Sequence, residues 1–303
     1  MLATLYFSGI ASAKDLVIMT SLPSLEFPFF VHMQNQLDLE AKSIGGIKIL
    51  SADGQNRVPK QTADVESAII QGVDGIIISP IDVNAMAPAL QQAIDAGIPV
   101  VTVDRYVGGV PGIYAHVGAD NVKGGEAQAR LIMKQFPNGA TIVNLQGQPG
   151  ASPAIDRNKG LHNILDGKSK YKIVAEQTAN WSRDQGMSVT ENILVGLSSP
   201  PDVINGANDD MALGAMEAVK ARGLNVKILG FDALPEAIAA VRDGSLMATV
   251  EQFPGGQAKT ALNLLVNDLR SSMKPYNRVI SLNPITITSE NYRKNAERIG
   301  EVK

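Results

Sequence analysis

There is no cysteine among the 303 residues, which excludes disulfides, thiolate metal sites and cysteine nucleophiles. Histidine is scarce as well: His32, His116 and His162 are the only three, and none has a partner at metal-ligand spacing such as His-x-x-x-His. Basic charge is not in excess. The 27 Lys and Arg face 30 Asp and Glu, a formal net charge of -3, so the field that a nucleic-acid backbone demands is missing. Charges of both signs alternate along the helix-periodic segments, as on a solvated surface. Beyond the first residues no apolar run approaches the roughly 20 residues that span a bilayer. The chain also lacks a Walker-type Gly-x-x-x-x-Gly-Lys-Ser/Thr and a Gly-x-Ser-x-Gly elbow, and Gly108-Gly109-Val110-Pro111-Gly112 follows no strand-to-helix junction. No metal site, cofactor motif or nucleophile paired with a base emerges, and the expectation is a protein that is not an enzyme.

What is present is apolar material in a regular order. Hydrophobic residues make up 45% of a length that favours two domains over one. Runs rich in Val and Ile at 16–20, 47–51, 75–79 and 100–103 alternate with helix-periodic stretches at 28–42, 60–71 and 84–96. Continuous apolar runs suit strands of a parallel sheet covered on both faces. After Val117-Gly118 a second series begins, with strands at 140–145, 171–176, 202–206, 226–230 and 247–250 among helices at 122–135, 153–165, 183–196, 210–222 and 235–243. Two doubly wound parallel-sheet lobes of an α/β protein are expected. A further helix at 257–270 and an extended segment at 281–288 would be surplus to two closed domains. They fit a chain that crosses back and forth, giving three hinge strands that restrict motion to opening and closing.

The start of the chain has a pattern of its own. Leu2 to Ile10 is a short apolar run that ends in Ala11-Ser12-Ala13 before Lys14-Asp15. Small-x-small after an apolar run is the form of a secretory signal cleaved after Ala13, so residues 1–13 read as a signal-peptide remnant on an exported protein.

The chemistry-bearing residues fall at the carboxyl ends of the expected strands, where parallel α/β sheets bind ligands. Phe27, Phe29 and Phe30 follow the first strand, Asp104 and Arg105 the fourth, and Asn208, Phe231, Asp232 and Gln252 the strands of the second half. Trp181 is the only tryptophan, and Arg157 lies early in a helix. Each has a plainer reading: helix core for Phe29 and Phe30, a helix cap for Trp181, ion pairs for Asp104, Arg105 and Arg157, and turn chemistry for Asn208 and Asp232. Asp209-Asp210, between strand and helix, reads most simply as an N-cap. Taken together, the set places aromatic plates and planar polar groups on both sides of one crevice, an arrangement suited to a carbohydrate.

On these residues the chain resembles the periplasmic sugar-binding proteins of the ribose-binding type. The motifs are Pro28-Phe29-Phe30, Thr102-Val103-Asp104-Arg105, Gly118-Ala119-Asp120-Asn121, Leu145-Gln146-Gly147, Asn208-Asp209-Asp210-Met211-Ala212-Leu213-Gly214-Ala215, Gly230-Phe231-Asp232 and Thr249-Val250-Glu251-Gln252. Glu176-Gln177-Thr178-Ala179-Asn180, Arg183-Asp184-Gln185 and Ile287-Thr288-Ser289 look like the myo-inositol-binding branch. The resemblance implies the type I periplasmic-binding-protein fold, with residues 14–118 and 253–281 in the first lobe and 119–252 and 282–303 in the second. It implies a sugar stacked between Phe30 and Trp181, with hydroxyls held by Asp104, Arg105, Arg157, Asn208, Asp232 and Gln252, Phe29 lining the pocket and Phe231 close by. It further implies a monomeric periplasmic receptor that docks on the membrane permease of an ABC importer, binds no nucleic acid and uses no cofactor. Ribose binders carry Asn at the position of Phe27, so the expected ligand is myo-inositol or a ribose-like sugar rather than ribose by default. The alternative is the sensing domain of a lactose-repressor-type regulator without its DNA-binding headpiece.

Overall fold

Runs such as Gly-Ile-Ile-Ile and Val-Val-Thr-Val have no polar face to offer water, and both become interior strands of a parallel sheet. The computed structural model describes residues 15–271 and 278–303. The apolar start and its Ala11-Ser12-Ala13 site lie outside them. The first half runs β1 (Leu16–Leu22), α1 (Pro28–Ile44), β2 (Ile47–Asp53), α2 (Val58–Gln71), β3 (Gly75–Ile78), α3 (Ala87–Asp95), β4 (Val100–Val103) and β5 (Ala115–Ala119). The second half runs α4 (Asn121–Gln135), β6 (Ala140–Gln146), α5 (Ser152–Leu165), β7 (Tyr171–Thr178), α6 (Arg183–Gly196), β8 (Val203–Gly206), α7 (Asp209–Ala221), β9 (Lys227–Leu229), α8 (Pro235–Asp243) and β10 (Thr249–Glu251). The tail contributes α9 (Pro254–Ser271), β11 (Arg278–Leu282), β12 (Ile285–Ile287), α10 (Tyr292–Asn295) and a 3-10 turn at Ile299–Glu301.

Two parallel sheets result. The first has the order β11-β5-β4-β3-β1-β2, and every residue of β3 and β4 is buried. The second has the order β7-β6-β8-β9, and a bridge between Leu229 and Ala248 brings the segment entering β10 against β9. The chain passes between the sheets three times: after β5, after β10, where α9 packs back on α1, and after β11.

Three details differ from the sequence expectation. β5 is a strand that the pattern hides, because Ala-His-Val-Gly-Ala is neither a branched apolar run nor a clean alternation; its pairing with β4 and β11 forms it. The extended segment expected at 281–288 is two strands in two sheets. β11 runs parallel to β5 and β12 antiparallel to β10, with the break at Asn283-Pro284, where proline has no N–H for a ladder. The third expected helix begins at Ala87, because the Asp82 carboxylate takes the amides of Asn84 and Ala85 into a turn.

α4 and α5 approach closely enough to exclude side chains. A methyl group on Gly125 would overlap the carbonyl oxygen of Arg157, and one on Gly160 would overlap that of Val122. This contact sets the height of α5 over the second sheet, and with it the position of Arg157. Gly125→Ala is expected to lower stability by about 1–3 kcal/mol, the cost of overpacking a close contact, seen as a lower urea midpoint with an unchanged slope.

The crossing after β10 is anchored by two carboxylates, of which Glu251 is fully buried. Glu251 accepts from the amides of Phe253 (2.7 Å) and Glu297 (2.8 Å), and Glu297 accepts from those of Gly255 (2.8 Å) and Gly256 (3.0 Å). Burial pushes the Glu251 carboxyl from 4.5 up to about 7, against the pull of its amide donors. The folded protein therefore holds a proton that the unfolded chain releases. The associated stability is complete below about 4.5 and lost as pH rises through about 7. Urea midpoints are expected to fall across that window, and Glu251→Gln to flatten the fall.

Candidate functional site

The carboxyl ends of the strands meet between the two sheets, and ten of the eleven candidate residues line one cavity there. Phe27, Phe29, Phe30, Asp104 and Arg105 come from the first half, and Arg157, Trp181, Asn208, Asp232 and Gln252 from the second. The space they enclose is about 360 Å³, mouth included. Phe231 is not brought to the cavity. It is fully buried, and its ring lies under the Arg157 guanidinium with 3.6 Å between guanidinium carbon and ring centroid.

The backbone at these strand ends is held in unusual conformations. Asp104 (φ 61°), Asn180 (52°), Trp181 (66°), Asp232 (112°), Ala233 (50°) and Phe253 (59°) all have positive φ, a region that costs side-chain-bearing residues free energy. The turns are fixed by neighbours. Thr178 Oγ1 donates to Gly147 O (2.8 Å), and Asn180 Nδ2 donates to Gln185 Oε1 (2.8 Å). Gly147 itself has no side chain because the six-membered ring of Trp181 occupies that place.

On the first lobe, Arg105 donates from one terminal nitrogen to Ile81 O (3.3 Å), and its guanidinium carbon lies 5.3 Å from the Phe30 centroid and 6.0 Å from that of Trp181. Its Nε is 3.8 Å from Asp104 Oδ2, so the two side chains are charge neighbours without a fork-to-fork hydrogen bond. Burial pushes Arg105 down to about 10 and raises Asp104, the latter against the opposing charges of Arg105 and Arg157.

On the second lobe, Arg157 turns inward rather than pairing along the helix surface. Nε donates to Asn121 Oδ1 (2.8 Å), and one terminal nitrogen donates to Ala207 O (2.6 Å) and lies 3.4 Å from Asp232 Oδ1. Gln252 Nε2 donates to Asp232 Oδ1 at 2.6 Å. Burial, with the nearby Asp104 charge and against the pull of Arg157, pushes Asp232 up to about 7. Asn208 is the N-cap of α7: it accepts from Met211 N (2.9 Å) and donates to Trp181 O (3.2 Å), tying the helix start to the aromatic wall. The cap of α6 is Ser182, which leaves Trp181 free of that role.

Asp209 is therefore not the cap that the sequence suggested. It is fully buried, accepts from Leu234 N (2.8 Å) and Thr249 Oγ1 (2.7 Å), and has its carboxyl pushed well above the usual range by burial and by Asp232. Sequence reasoning missed Pro153 and Asp210, both of which line the cavity. Pro153 lies one helical turn before Arg157 on the same face of α5, a spacing that flags it once Arg157 is accepted. The histidines stand apart: His32 contacts Glu297 (3.2 Å), His116 contacts Thr102 (2.9 Å) and His162 contacts Asp166 (2.9 Å). Among the described residues no group of three or more His, Asp or Glu could hold a metal ion.

Four fully buried polar atoms of cavity-lining residues lack a hydrogen-bond partner among the described residues: Asp104 Oδ1, Arg105 Nε, Trp181 Nε1 and Gln252 Oε1. Leaving such atoms unmet costs about 1–3 kcal/mol each, so the arrangement asks for a molecule that brings donors and acceptors of its own. The lobes also touch directly outside the cavity lining. Val83 N donates to Gly150 O (2.9 Å), Tyr106 N to Ser152 Oγ (3.0 Å) and the Tyr106 hydroxyl to Asp156 (3.3 Å).

Comparison with known proteins agrees with this architecture. The model of the periplasmic binding protein domain matches residues 18–271. The ribose import binding protein RbsB of Bacillus subtilis is 41% identical over 251 residues, covering 82% of this chain and 79% of that protein. The crystal structure of a Caulobacter myo-inositol binding protein bound to myo-inositol superposes with a TM-score of 0.92 at 44% identity, covering 96% of this chain and 99% of the other. An ABC transporter solute binding protein from Bacillus halodurans with bound myo-inositol gives a TM-score of 0.88 at 29% identity over 94% of this chain and 98% of that one. With two parallel-sheet lobes around a polar, aromatic-walled cleft and a domain match over most of its length, the chain belongs to the periplasmic binding protein domain family.

Proposed function

We propose that the protein is an extracytoplasmic receptor of an ABC importer that closes its two lobes around one monosaccharide or cyclic polyol, myo-inositol or a ribose-like sugar. The observation that carries this reading is the set of buried, unpartnered polar atoms around a small cavity with aromatic rings on both lobes. Sugar hydroxyls both donate and accept, and their C–H faces stack on rings, so one such molecule satisfies both kinds of surface. Phe30 and Trp181 are the stacking plates, and Asp104, Arg105, Arg157, Asn208, Asp232 and Gln252 the hydroxyl-binding groups, with Phe27 and Phe29 shaping the first-lobe wall. Phe231 acts through Arg157.

The lobes are divided at the three crossings, near Gly118, Gln252 and Ser281, and hinge there. The relatives' role in import supports the companion proposals: a monomer that leaves the cytoplasm under the signal at residues 1–13 and delivers its ligand to a membrane permease.

A thermal-shift screen against pentoses, hexoses, alditols and inositols tests the ligand class. A ligand at 100 times its dissociation constant is expected to stabilise the protein by about 2.7 kcal/mol, a clear rise in melting temperature. No rise with any member, on protein refolded free of carried-over ligand, would sink the reading. Arg105→Lys keeps the charge but loses the planar fork, and is expected to weaken binding at least tenfold when titrated through Trp181 fluorescence. Unchanged affinity would place Arg105 outside the site.

A further inference from the structure

Gln61 is fully buried and does not line the cavity, yet its side-chain amide holds the segment on which Arg105 rests. It stands early in α2 and reaches the carboxyl ends of β1 and β3. Nε2 donates to Ser79 O (2.9 Å) and Ser21 Oγ (3.2 Å), and Oε1 accepts from Ile81 N (2.9 Å). The need for such a group follows from Pro80. The parallel pairing of β1 with β3 ends where Ser79 N donates to Ser21 O (2.9 Å), because the next residue has no N–H to continue it. Ile81 is buried beyond that break, and its backbone N–H needs a partner from elsewhere. One amide, with a donor end and an acceptor end, spans the proline.

The segment held in this way carries the first-lobe polar groups of the site. Ile81 O accepts from Arg105 at 3.3 Å and is the only hydrogen-bond acceptor of that guanidinium among the described residues. Ser79 Oγ donates to Asp104 Oδ2 at 3.5 Å. The other neighbours of Arg105, the Asp104 carboxylate at 3.8 Å and the rings of Phe30 and Trp181, attract its charge without directing its planar fork. Arg105 Nε is unpartnered, so the angle at which the fork meets a ligand is set by the end held at Ile81. We propose, resting on the sugar or polyol reading above, that Gln61 is a positioning residue: through Ile81 it aims Arg105, and through Ser79 it aims Asp104, at the hydroxyls of the bound molecule. Gln61, Ser79, Ile81, Asp104 and Arg105 all belong to the first half of the chain, so this hold does not wait for the lobes to close.

Gln61→Met keeps the reach of the side chain and removes both ends of the amide. In ligand-free protein, the Nε–Hε resonance of Arg105, assigned by its loss in Arg105→Lys, reports the orientation of the guanidinium before any sugar is added. The Nε–Hε resonance of Arg157 is the control. In Gln61→Met the Arg105 resonance is expected to shift and its hydrogen to exchange with water at least tenfold faster, while Arg157 is unchanged. Isothermal titration is expected to show at least fivefold weaker binding of whichever of myo-inositol and D-ribose the wild type prefers. Gln61→Asn, an amide one methylene too short to reach Ser79 and Ile81 together, is expected to behave in the same way and carries the test where Gln61→Met does not fold. Three results would overturn the proposal: an Arg105 resonance that stays in place, Arg105 and Arg157 resonances that move together as in a general loosening of the fold, or a loss of affinity below fivefold. A wild type that binds neither probe defeats the receptor reading instead, and the ligand-free resonances still decide whether Gln61 holds Arg105.

Discussion

The Arg157 guanidinium, buried flat on the ring of Phe231, is the contact around which the second lobe is arranged. Taking a guanidinium out of water costs several kcal/mol, and only a full set of partners offsets it. Those partners come from separate parts of the chain: Asn121 at the start of α4, Ala207 after β8, and Phe231 and Asp232 after β9. Arg157 can reach all of them only because α5 lies on the bare backbone of α4 at Gly125. Helix packing, strand order and the chemistry of the cleft therefore have one geometric solution in common.

Much of the fold was legible because its signal is local. Ile76, Ile77 and Ile78 announce an interior parallel strand whatever surrounds them. β5 and the split of β11 from β12 depend on which strands lie alongside, a property of the assembled sheet. The site was legible in the same measure. Strand-end positions pointed to Asp104, Arg105, Asn208, Asp232 and Gln252, whereas the choice between Asn208 and Asp209 as helix cap is made by Thr249 and Leu234, distant in sequence, which draw Asp209 into the core. Phe231 and Asp210 illustrate the same limit from opposite sides. Neighbouring positions on one strand end differ in which way they face, and Phe231 turns under Arg157 while Asp232 turns to the cavity; Asp210 was hidden by the more ordinary role that an acid plays in a first helical turn.

Contacts between residues outside the cavity lining also join the two lobes. Val83 and Tyr106 hydrogen-bond across to Gly150, Ser152 and Asp156. Beside the crossing after β10, His32 of the first lobe meets Glu297 and Glu301 of the tail that packs on the second. Bonds that exist only when the lobes meet add to the apparent affinity for every ligand alike, because they bias the closed population without touching the bound molecule.

The strand order also dictates a sequence of events in synthesis. β11, which completes the first sheet, follows every strand of the second sheet in the chain. As the polypeptide is made from its amino end, β5 keeps one unpaired edge until β11 emerges, while β6 to β9 are all in hand long before. The lobe that begins first cannot complete its sheet until every strand of the second sheet has been made. Its open edge is a place for mispairing with another chain throughout that interval, so chaperone contact is most useful on the half of the molecule that a simple reading of order would take to be already folded.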